Sequence, residues 1–302
     1  MAETGEEDHI GGVAVMVFCI YILGMILVYL WDRSHPISSI DIENDAGRSL
    51  LTQKFPSANR ILLVFRIVGF FYWLGIGWIG KWLRDYVEKD VKPRYYMFTH
   101  WNLILLTIYY LLGSLACIQQ QSSASTGITS NEESGWVFPT WYTSIHRKRL
   151  AETVQILFSV CSASALFVSA TAFDPEGSFW SYVGHLTNII WILVELAQNP
   201  FILQIRHLWW FMSWNYAYIC VTWILVKAFS PPIQKWPYPF LQTDDIQAYS
   251  TYLGILFLQL LSFIFIKAVT YGRTKLYIYL QWIKGDDLRA FSSTELTEIE
   301  VT

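Results

Sequence analysis

Seven long apolar stretches constrain the fold of this 302-residue chain more than any other feature of its sequence. A helix needs about 20 mainly apolar residues to cross the hydrocarbon core of a bilayer. Within lipid, only helices and closed barrels satisfy their own backbone hydrogen bonds, and the stretches lack the alternating pattern of barrel strands. The sequence therefore predicts an all-α fold, a polytopic transmembrane helical bundle of about seven spans at roughly 13–31, 61–83, 96–118, 150–173, 179–203, 208–229 and 249–271.

The sequence outside these stretches divides into short tails and loops. An acidic N-terminal tail, 1–12, holds no Lys or Arg, so the helix after it, 13–31, is expected to be retained rather than cleaved as a signal peptide. A six-helix membrane core at 60–272 and a cytoplasmic tail at 273–302 follow. The longest loop, 119–149, is rich in Gln, Ser, Thr and Gly, which is typical of a solvated linker.

Composition narrows the classes of partner and cofactor. A net charge of −3 leaves no broad basic surface, so nucleic acid is not an expected partner, whereas the lipid bilayer is. The four cysteines all fall within apolar stretches without metal-ligand spacing, at positions 19, 117, 161 and 220. We therefore interpret them as small apolar residues and expect neither a metal nor another cofactor.

The distribution of basic residues predicts the orientation in the membrane. Lys and Arg collect on the cytoplasmic side of membrane proteins. With the N-terminus outside or lumenal and the C-terminus cytoplasmic, twelve fall in the inner segments and six in the outer ones. The sequence is compatible with both the endoplasmic reticulum and the plasma membrane. The inner twelve are Arg33, Arg48, Lys54, Arg60, Arg147, Lys148, Arg149, Arg206, Arg273, Lys275, Lys284 and Arg289.

Polar residues inside apolar stretches are costly and usually face a bundle interior or a watered cavity. The third stretch begins with Thr99 and Asn102, which are three positions apart and share a helix face. In the fifth, His185, Asn188 and Glu195 share one face as well. Both helices run from outside to inside, which places Thr99 and His185 at a comparable depth in the outer half of the membrane. A hydroxyl and an imidazole at one level can form a nucleophile–base pair.

Each of these groups also has a structural interpretation. A Thr hydroxyl often bonds to its own helix backbone, and a His with an Asn one turn away often joins helices. Glu195 lies below the pair, where it is expected to be protonated and bonded to Asn215 or Tyr218 of the sixth stretch.

Basic and imidazole side chains near the stretch ends are expected at the membrane interface. Arg66 and Lys267 lie a few residues inside their stretches and are expected to snorkel to the headgroups. We interpret His100 and His207 as interfacial. Bis-histidine haem ligation needs two histidines at one depth, and because only His185 is well inside a stretch, haem is not expected.

Three motifs carry a resemblance to a known family: FTHWN at 98–102, HLTNIIWILVEL at 185–196 and WPYPFL at 236–241. In this order they resemble the androgen-induced-protein family of membrane hydrolases and the related rolling-stone-like membrane proteins. The resemblance covers roughly residues 60–272 and implies six helices with both ends cytoplasmic.

The resemblance also implies an activity. In the hydrolase branch an intramembrane Thr is the nucleophile and a His its partner, and the substrates are fatty acid esters of hydroxy fatty acids. These two residues match Thr99 and His185, and Asn102 or Asn188 is placed to donate a hydrogen bond to the oxyanion. FTHWNLILLTIYY is closer to the rolling-stone branch, which implies the alternative of a non-catalytic membrane protein that acts through protein–protein contacts.

Overall fold

The computed structural model describes residues 10–34, 58–75, 98–125, 140–171, 179–227, 236, 238, 241–243 and 246–283. Within this part the chain is helical and contains no strand, in agreement with the predicted all-α fold. The seven helices are α1 (Ile10–Ser34), α2 (Ala58–Leu74), α3 (Phe98–Ser125), α4 (Thr140–Thr171), α5 (Phe179–Gln198), α6 (His207–Lys227) and α7 (Gln247–Ile283).

Four of these helices are long and apolar enough to cross a membrane. Their apolar segments are Gly11–Leu30, Phe98–Gln119, Arg149–Ala170 and Gln247–Tyr277. An isolated surface helix has no need for so long an apolar run, so these segments are consistent with an integral membrane protein.

Helix α4 is at the centre of the bundle and packs against α3, α5, α6 and α7. Its buried surface is rich in small residues, which let neighbouring helix backbones approach closely. The Ser159 hydroxyl donates to the Gln155 carbonyl and that of Ser162 to the Phe158 carbonyl. These bonds satisfy hydroxyls that would otherwise be buried without a partner. The small buried residues are Ala151, Ser159, Cys161, Ser162, Ala163, Ser164 and Ala165.

Helices α2 and α3 pack closely because glycines make room for two large side chains. A Cβ on Gly69 would lie 2.8 Å from Cδ1 of Tyr110. One on Gly113 would lie 3.2 Å from Cδ of Arg66. The two glycines therefore let the aromatic ring and the guanidinium arm lie in the interface.

Helix α1 lies at the edge of the bundle against α6 and α7. The Tyr21 and Ser213 hydroxyls are hydrogen-bonded at 2.6 Å, and the Tyr21 ring stacks on Tyr216 with centroids 4.9 Å apart. Much of the rest of the helix surface is exposed and apolar, for example at Leu23 and Leu27. The extra N-terminal helix therefore adds to the outside of the other six.

Three predicted boundaries differ from the structure. The fifth stretch was expected to continue to 203, but α5 ends at Gln198, because Pro200 lacks an N–H and disfavours helix at Asn199. The predicted loop 119–149 is helical at both ends, at 119–125 and 140–149. Helix α7 continues to Ile283, so the expected tail from 273 begins inside a helix. The end of the 61–83 stretch lies outside the described residues.

Candidate functional site

Thr99 lies in the first turn of α3, beside a tyrosine from the segment that precedes α7. The phenol of Tyr238 lies beside the Thr99 hydroxyl and the backbone of Phe98 and Thr99. The first amides of a helix have no partner within the helix. Tyr238 therefore lies at the end of α3 where such amides need an acceptor.

A small cavity of about 30 Å³ adjoins this end of α3. Phe98 and Tyr238 bring its wall next to Thr99, and Asn215 and Gln259 add polar groups to a mainly apolar lining. The other lining residues are Phe167, Val168, Tyr218, Ile219, Leu241 and Ile255.

His185 and Asn188 lie one turn apart on α5, and both carry polar atoms without a partner. Nδ1 of His185 is buried and makes no hydrogen bond with any described residue. Nδ2 and Oδ1 of Asn188 are likewise buried without a hydrogen bond to any described residue, and its side chain is fully buried. The contact between α5 and α4 here is a hydrogen bond from the Ser169 hydroxyl to the His185 carbonyl, at 3.1 Å. The imidazole and the carboxamide are therefore free to bind something else.

Two hydrogen bonds fix how α3 and α5 lie alongside each other. The Tyr109 hydroxyl donates to Glu195, 86 positions further along the chain, and the Tyr110 hydroxyl donates to the Trp191 carbonyl, 81 positions further. Phe98 packs on Phe167 near the end of α4, and Ser169 of α4 bonds to the His185 carbonyl, so the starts of α3 and α5 lie at the same end of α4 and the two helices run in parallel. Adding the same offsets of 81 and 86 positions to Thr99 places it level with residues 180 to 185 of α5.

Within the described residues, no hydrogen bond joins Thr99 to His185. The Thr99 hydroxyl lies beside the phenol of Tyr238 instead. Asn102, one turn further along α3, is buried, and its Oδ1 accepts from Nε1 of Trp214 at 3.4 Å, while its Nδ2 has no partner. Two carboxamide nitrogens, those of Asn102 and Asn188, are therefore unused donors on the helices of the proposed pair.

Glu195 is the centre of a second, separate polar cluster. Its Oε1 accepts from Nε and Nη2 of Arg66 at 2.9 and 2.6 Å, from the Tyr109 hydroxyl at 2.6 Å and from Nδ2 of Asn199 at 3.1 Å. The side chains of Arg66 and Glu195 are both 0% exposed. Nη1 of Arg66 donates to the carbonyl of Gly113, at 3.1 Å. The cluster joins α2, α3 and α5.

This cluster corrects two predictions. Arg66 does not snorkel to the headgroups, and Glu195 is bonded to neither Asn215 nor Tyr218. A carboxylate that receives a guanidinium and a phenol is better satisfied than one facing amides, because hydrogen bonds to charged groups are the stronger ones. The available signal was the charge itself: the second stretch holds one inward cation, Arg66, and the fifth one anion, Glu195.

His207, expected at the membrane interface, is enclosed by protein. His207 begins α6 and is buried, with Nδ1 2.8 Å from the Ser159 hydroxyl on α4. Since that hydroxyl donates to the Gln155 carbonyl, the imidazole donates to it in turn. His207 therefore fixes the start of α6 against α4.

The chain between α5 and α6 is irregular and partly buried, and α7 supplies several of its hydrogen bonds. Arg273 donates to the carbonyls of Leu196 and Phe201, and Nζ of Lys267 donates to the Leu203 carbonyl at 3.2 Å. Lys267, predicted to reach the headgroups, is therefore bound to the protein backbone. All four cysteines are free thiols; Cys117 and Cys161 are buried as predicted, whereas Cys19 is exposed and Cys220 is partly exposed.

Comparison with known protein families, curated proteins and solved structures gives no match to this chain.

Proposed function

We propose that this chain is a seven-span membrane hydrolase of lipid esters, with Thr99 as nucleophile and His185 as base. The observation that carries the proposal is the coincidence of a hydroxyl, an unpaired imidazole and a cavity. Thr99 lies at the cavity edge beside Tyr238, and His185 presents an unpaired Nδ1 from α5. The register of α3 and α5 supports a similar depth for the two side chains.

The mechanism follows from the chemistry of the two groups. A Thr hydroxyl is a weak nucleophile until a base accepts its proton. His185 takes that proton as Oγ of Thr99 bonds to the ester carbonyl carbon, and returns it to the departing alkoxide as the C–O bond breaks. This leaves an acyl-threonine, which water must then hydrolyse. Nucleophile–base contacts are often loose before substrate binds, so the position of Thr99 beside Tyr238 is compatible with this role.

The unused carboxamide nitrogens have a role in the same reaction. Negative charge develops on the carbonyl oxygen during the attack, and one well-placed donor is worth about 3–4 kcal/mol in hydrolases. Nδ2 of Asn188 and Nδ2 of Asn102 are both buried without an acceptor. Either nitrogen supplies such a donor without breaking an existing hydrogen bond.

The proposal is tested by lipid-ester hydrolysis with purified protein in lipid nanodiscs. Thr99→Ala and His185→Ala should each abolish turnover, whereas Thr99→Ser should retain part of it because a hydroxyl remains. The matched control is Thr107→Ala, since Thr107 is a buried threonine of the same helix whose hydroxyl bonds only to the Leu103 carbonyl.

The assay also separates the proposal from the alternative. A folded Thr99→Ala protein with full turnover would remove Thr99 as nucleophile. A wild-type protein that neither hydrolyses esters nor reacts with a fluorophosphonate probe would instead favour the alternative hypothesis, a non-catalytic, rolling-stone-like membrane protein.

The orientation is part of the proposal, with the N-terminus outside and the C-terminus cytoplasmic. Helix directions then alternate from α1 to α7, and Arg60, Arg149, Arg206 and Lys275 lie at the cytoplasmic ends of their helices. On intact cells, we expect external protease to remove an N-terminal tag and to leave a C-terminal tag. In vesicles, we expect protease on the lumenal side to give the same result. The reverse pattern would move the site to the cytoplasmic leaflet.

A further inference from the structure

The cavity beside Thr99 is lined by two residues with hydrogen-bond acceptors that nothing in the described part of the chain satisfies. Oδ1 of Asn215 on α6 and Oε1 of Gln259 on α7 are buried and unpaired. Nδ2 of Asn215 donates to the Phe211 carbonyl at 2.6 Å, which fixes the amide so that its oxygen is the unpaired atom. Each such atom carries a desolvation cost of about 1–3 kcal/mol.

The size and chemistry of the cavity restrict what can occupy it. Space of about 30 Å³ is more than the roughly 10–15 Å³ needed for one water. A hydrocarbon chain or an ester carbonyl cannot donate to either acceptor. An alcohol donates one hydrogen bond, whereas a water molecule donates two.

We infer that the cavity binds water through Asn215 and Gln259, and that this water hydrolyses the acyl-threonine formed at Thr99. The first half of the inference concerns the cavity alone, whereas the second rests on the proposed function. The cavity wall includes Phe98 and Tyr238, so water stored there is next to the first turn of α3. A membrane-embedded ester site has no bulk solvent beside it, so the water bound in this cavity supplies the second substrate of the hydrolysis.

The step balances without a further reactant. The water oxygen bonds to the acyl carbon as His185 accepts one of its protons. The bond between that carbon and Oγ of Thr99 then breaks, and the same proton passes from His185 to Oγ. The products are a free carboxylic acid and the original threonine hydroxyl.

The kinetic test uses Asn215→Leu/Gln259→Leu, which removes both acceptors while keeping similar volumes. Single-turnover hydrolysis should show acylation within about twofold of wild type and deacylation at least about tenfold slower, the effect of about 1.4 kcal/mol of lost water binding. Acyl-Thr99 should accumulate in intact-mass spectra, and hydroxylamine should release it. The matched control is Gln155→Leu, because Oε1 of Gln155 is also buried and unpaired but lies outside the cavity lining.

The outcomes separate the inference from the function on which it rests. If the wild type never forms acyl-Thr99, the proposed function fails, and the water site is then decided by a high-resolution nanodisc structure. Density within hydrogen-bond reach of both acceptors supports the site, and an empty cavity overturns it. If the double variant accumulates no acyl-enzyme and deacylates at the wild-type rate, the hydrolytic role is overturned. If the double variant does not fold, the nanodisc structure of the wild type tests the water site in its place.

Discussion

Two buried polar regions of this bundle differ in how completely their hydrogen bonds are made. In the Arg66–Glu195 cluster one carboxylate oxygen, Oε1, accepts four hydrogen bonds from three residues, and only Oε2 of Glu195 has no partner among the described residues of the cluster. Around Thr99 and α5, by contrast, Nδ1 of His185, both amide atoms of Asn188 and the acceptors of the cavity are unpaired. Both regions are enclosed by helices, so burial alone does not explain the difference.

The difference indicates separate roles for the two regions. A buried polar network that is well satisfied rigidifies a bundle and specifies one arrangement of its helices. Buried groups without partners reduce stability and are retained where function needs them. We therefore assign the Arg66–Glu195 cluster to structure and connect the Thr99 region with the proposed binding and catalysis. The predictions below test this division by measuring stability and activity together.

The largest effect is expected when the ion pair is broken from one side. Glu195→Ala leaves a buried guanidinium without its anion and should lower the free energy of unfolding by about 3–5 kcal/mol. Unfolding by SDS in mixed micelles, followed by circular dichroism, measures this loss. The double variant Arg66→Met/Glu195→Leu should recover most of it, because apolar residues of similar size replace the pair.

The ester-hydrolysis activity of the double variant tests whether the cluster serves structure alone. If the cluster serves structure alone, the refolded double variant hydrolyses esters at a rate close to wild type. Lost turnover in a stable double variant would instead make Glu195 part of the catalytic site and erase the distinction between the two regions.

An intermediate effect is expected at the glycine contact that supports the cluster. Gly69→Ala places a methyl group 2.8 Å from the buried Tyr110 ring, so α2 and α3 must separate. Overpacking of this kind typically costs about 1–3 kcal/mol. Gly24→Ala on α1 is the control, since a Cβ there meets no atom within 4 Å and the change should be neutral or slightly stabilising. Equal stability of the two variants would contradict the close packing of α2 on α3.

The smallest effect on stability, with the opposite sign, is expected at Asn188. Asn188→Leu removes two unpaired buried atoms and should raise the free energy of unfolding, by up to about 1 kcal/mol. Ester turnover should fall at the same time, because a donor to the oxyanion is lost. Thermal denaturation in detergent and the hydrolysis assay measure the two quantities. A destabilised Asn188→Leu protein would show that this amide already has a partner in the membrane.

The sequence predicted helix faces well and helix partners poorly. Helical periodicity placed Asn188 and Glu195 on one face of α5, and both are buried in the bundle. Periodicity does not say which helix lies opposite that face. The pairing of Glu195 with Arg66 therefore depends on contacts between residues 129 positions apart, which a local pattern does not encode.

Helix ends were predicted where hydropathy changes, and this signal was misleading in two places. Apolar residues continue past Gln198 to Leu203, yet the Asn199–Pro200 dipeptide ends α5 first. At the end of α7, charges begin at Arg273, yet the helix continues, because charged residues do not interrupt backbone hydrogen bonding. For the candidate site, the sequence supplied the residue types, whereas the contact of Tyr238 with Thr99 and the cavity depend on where Tyr238 and Leu241 pack.

The wide separation of Arg66 and Glu195 has a consequence for biosynthesis. In the proposed seven-span topology, α2 is synthesised before α5. Arg66 therefore has no anionic partner until 129 further residues have been added. At 5–20 residues per second this interval is on the order of 10 s. An unpaired arginine at the centre of a membrane helix costs about 2.5–3.5 kcal/mol on insertion scales. Helix α2 is therefore expected to stay beside the translocon or an insertion chaperone until α5 arrives, so that truncation before Glu195 exposes a degradation signal.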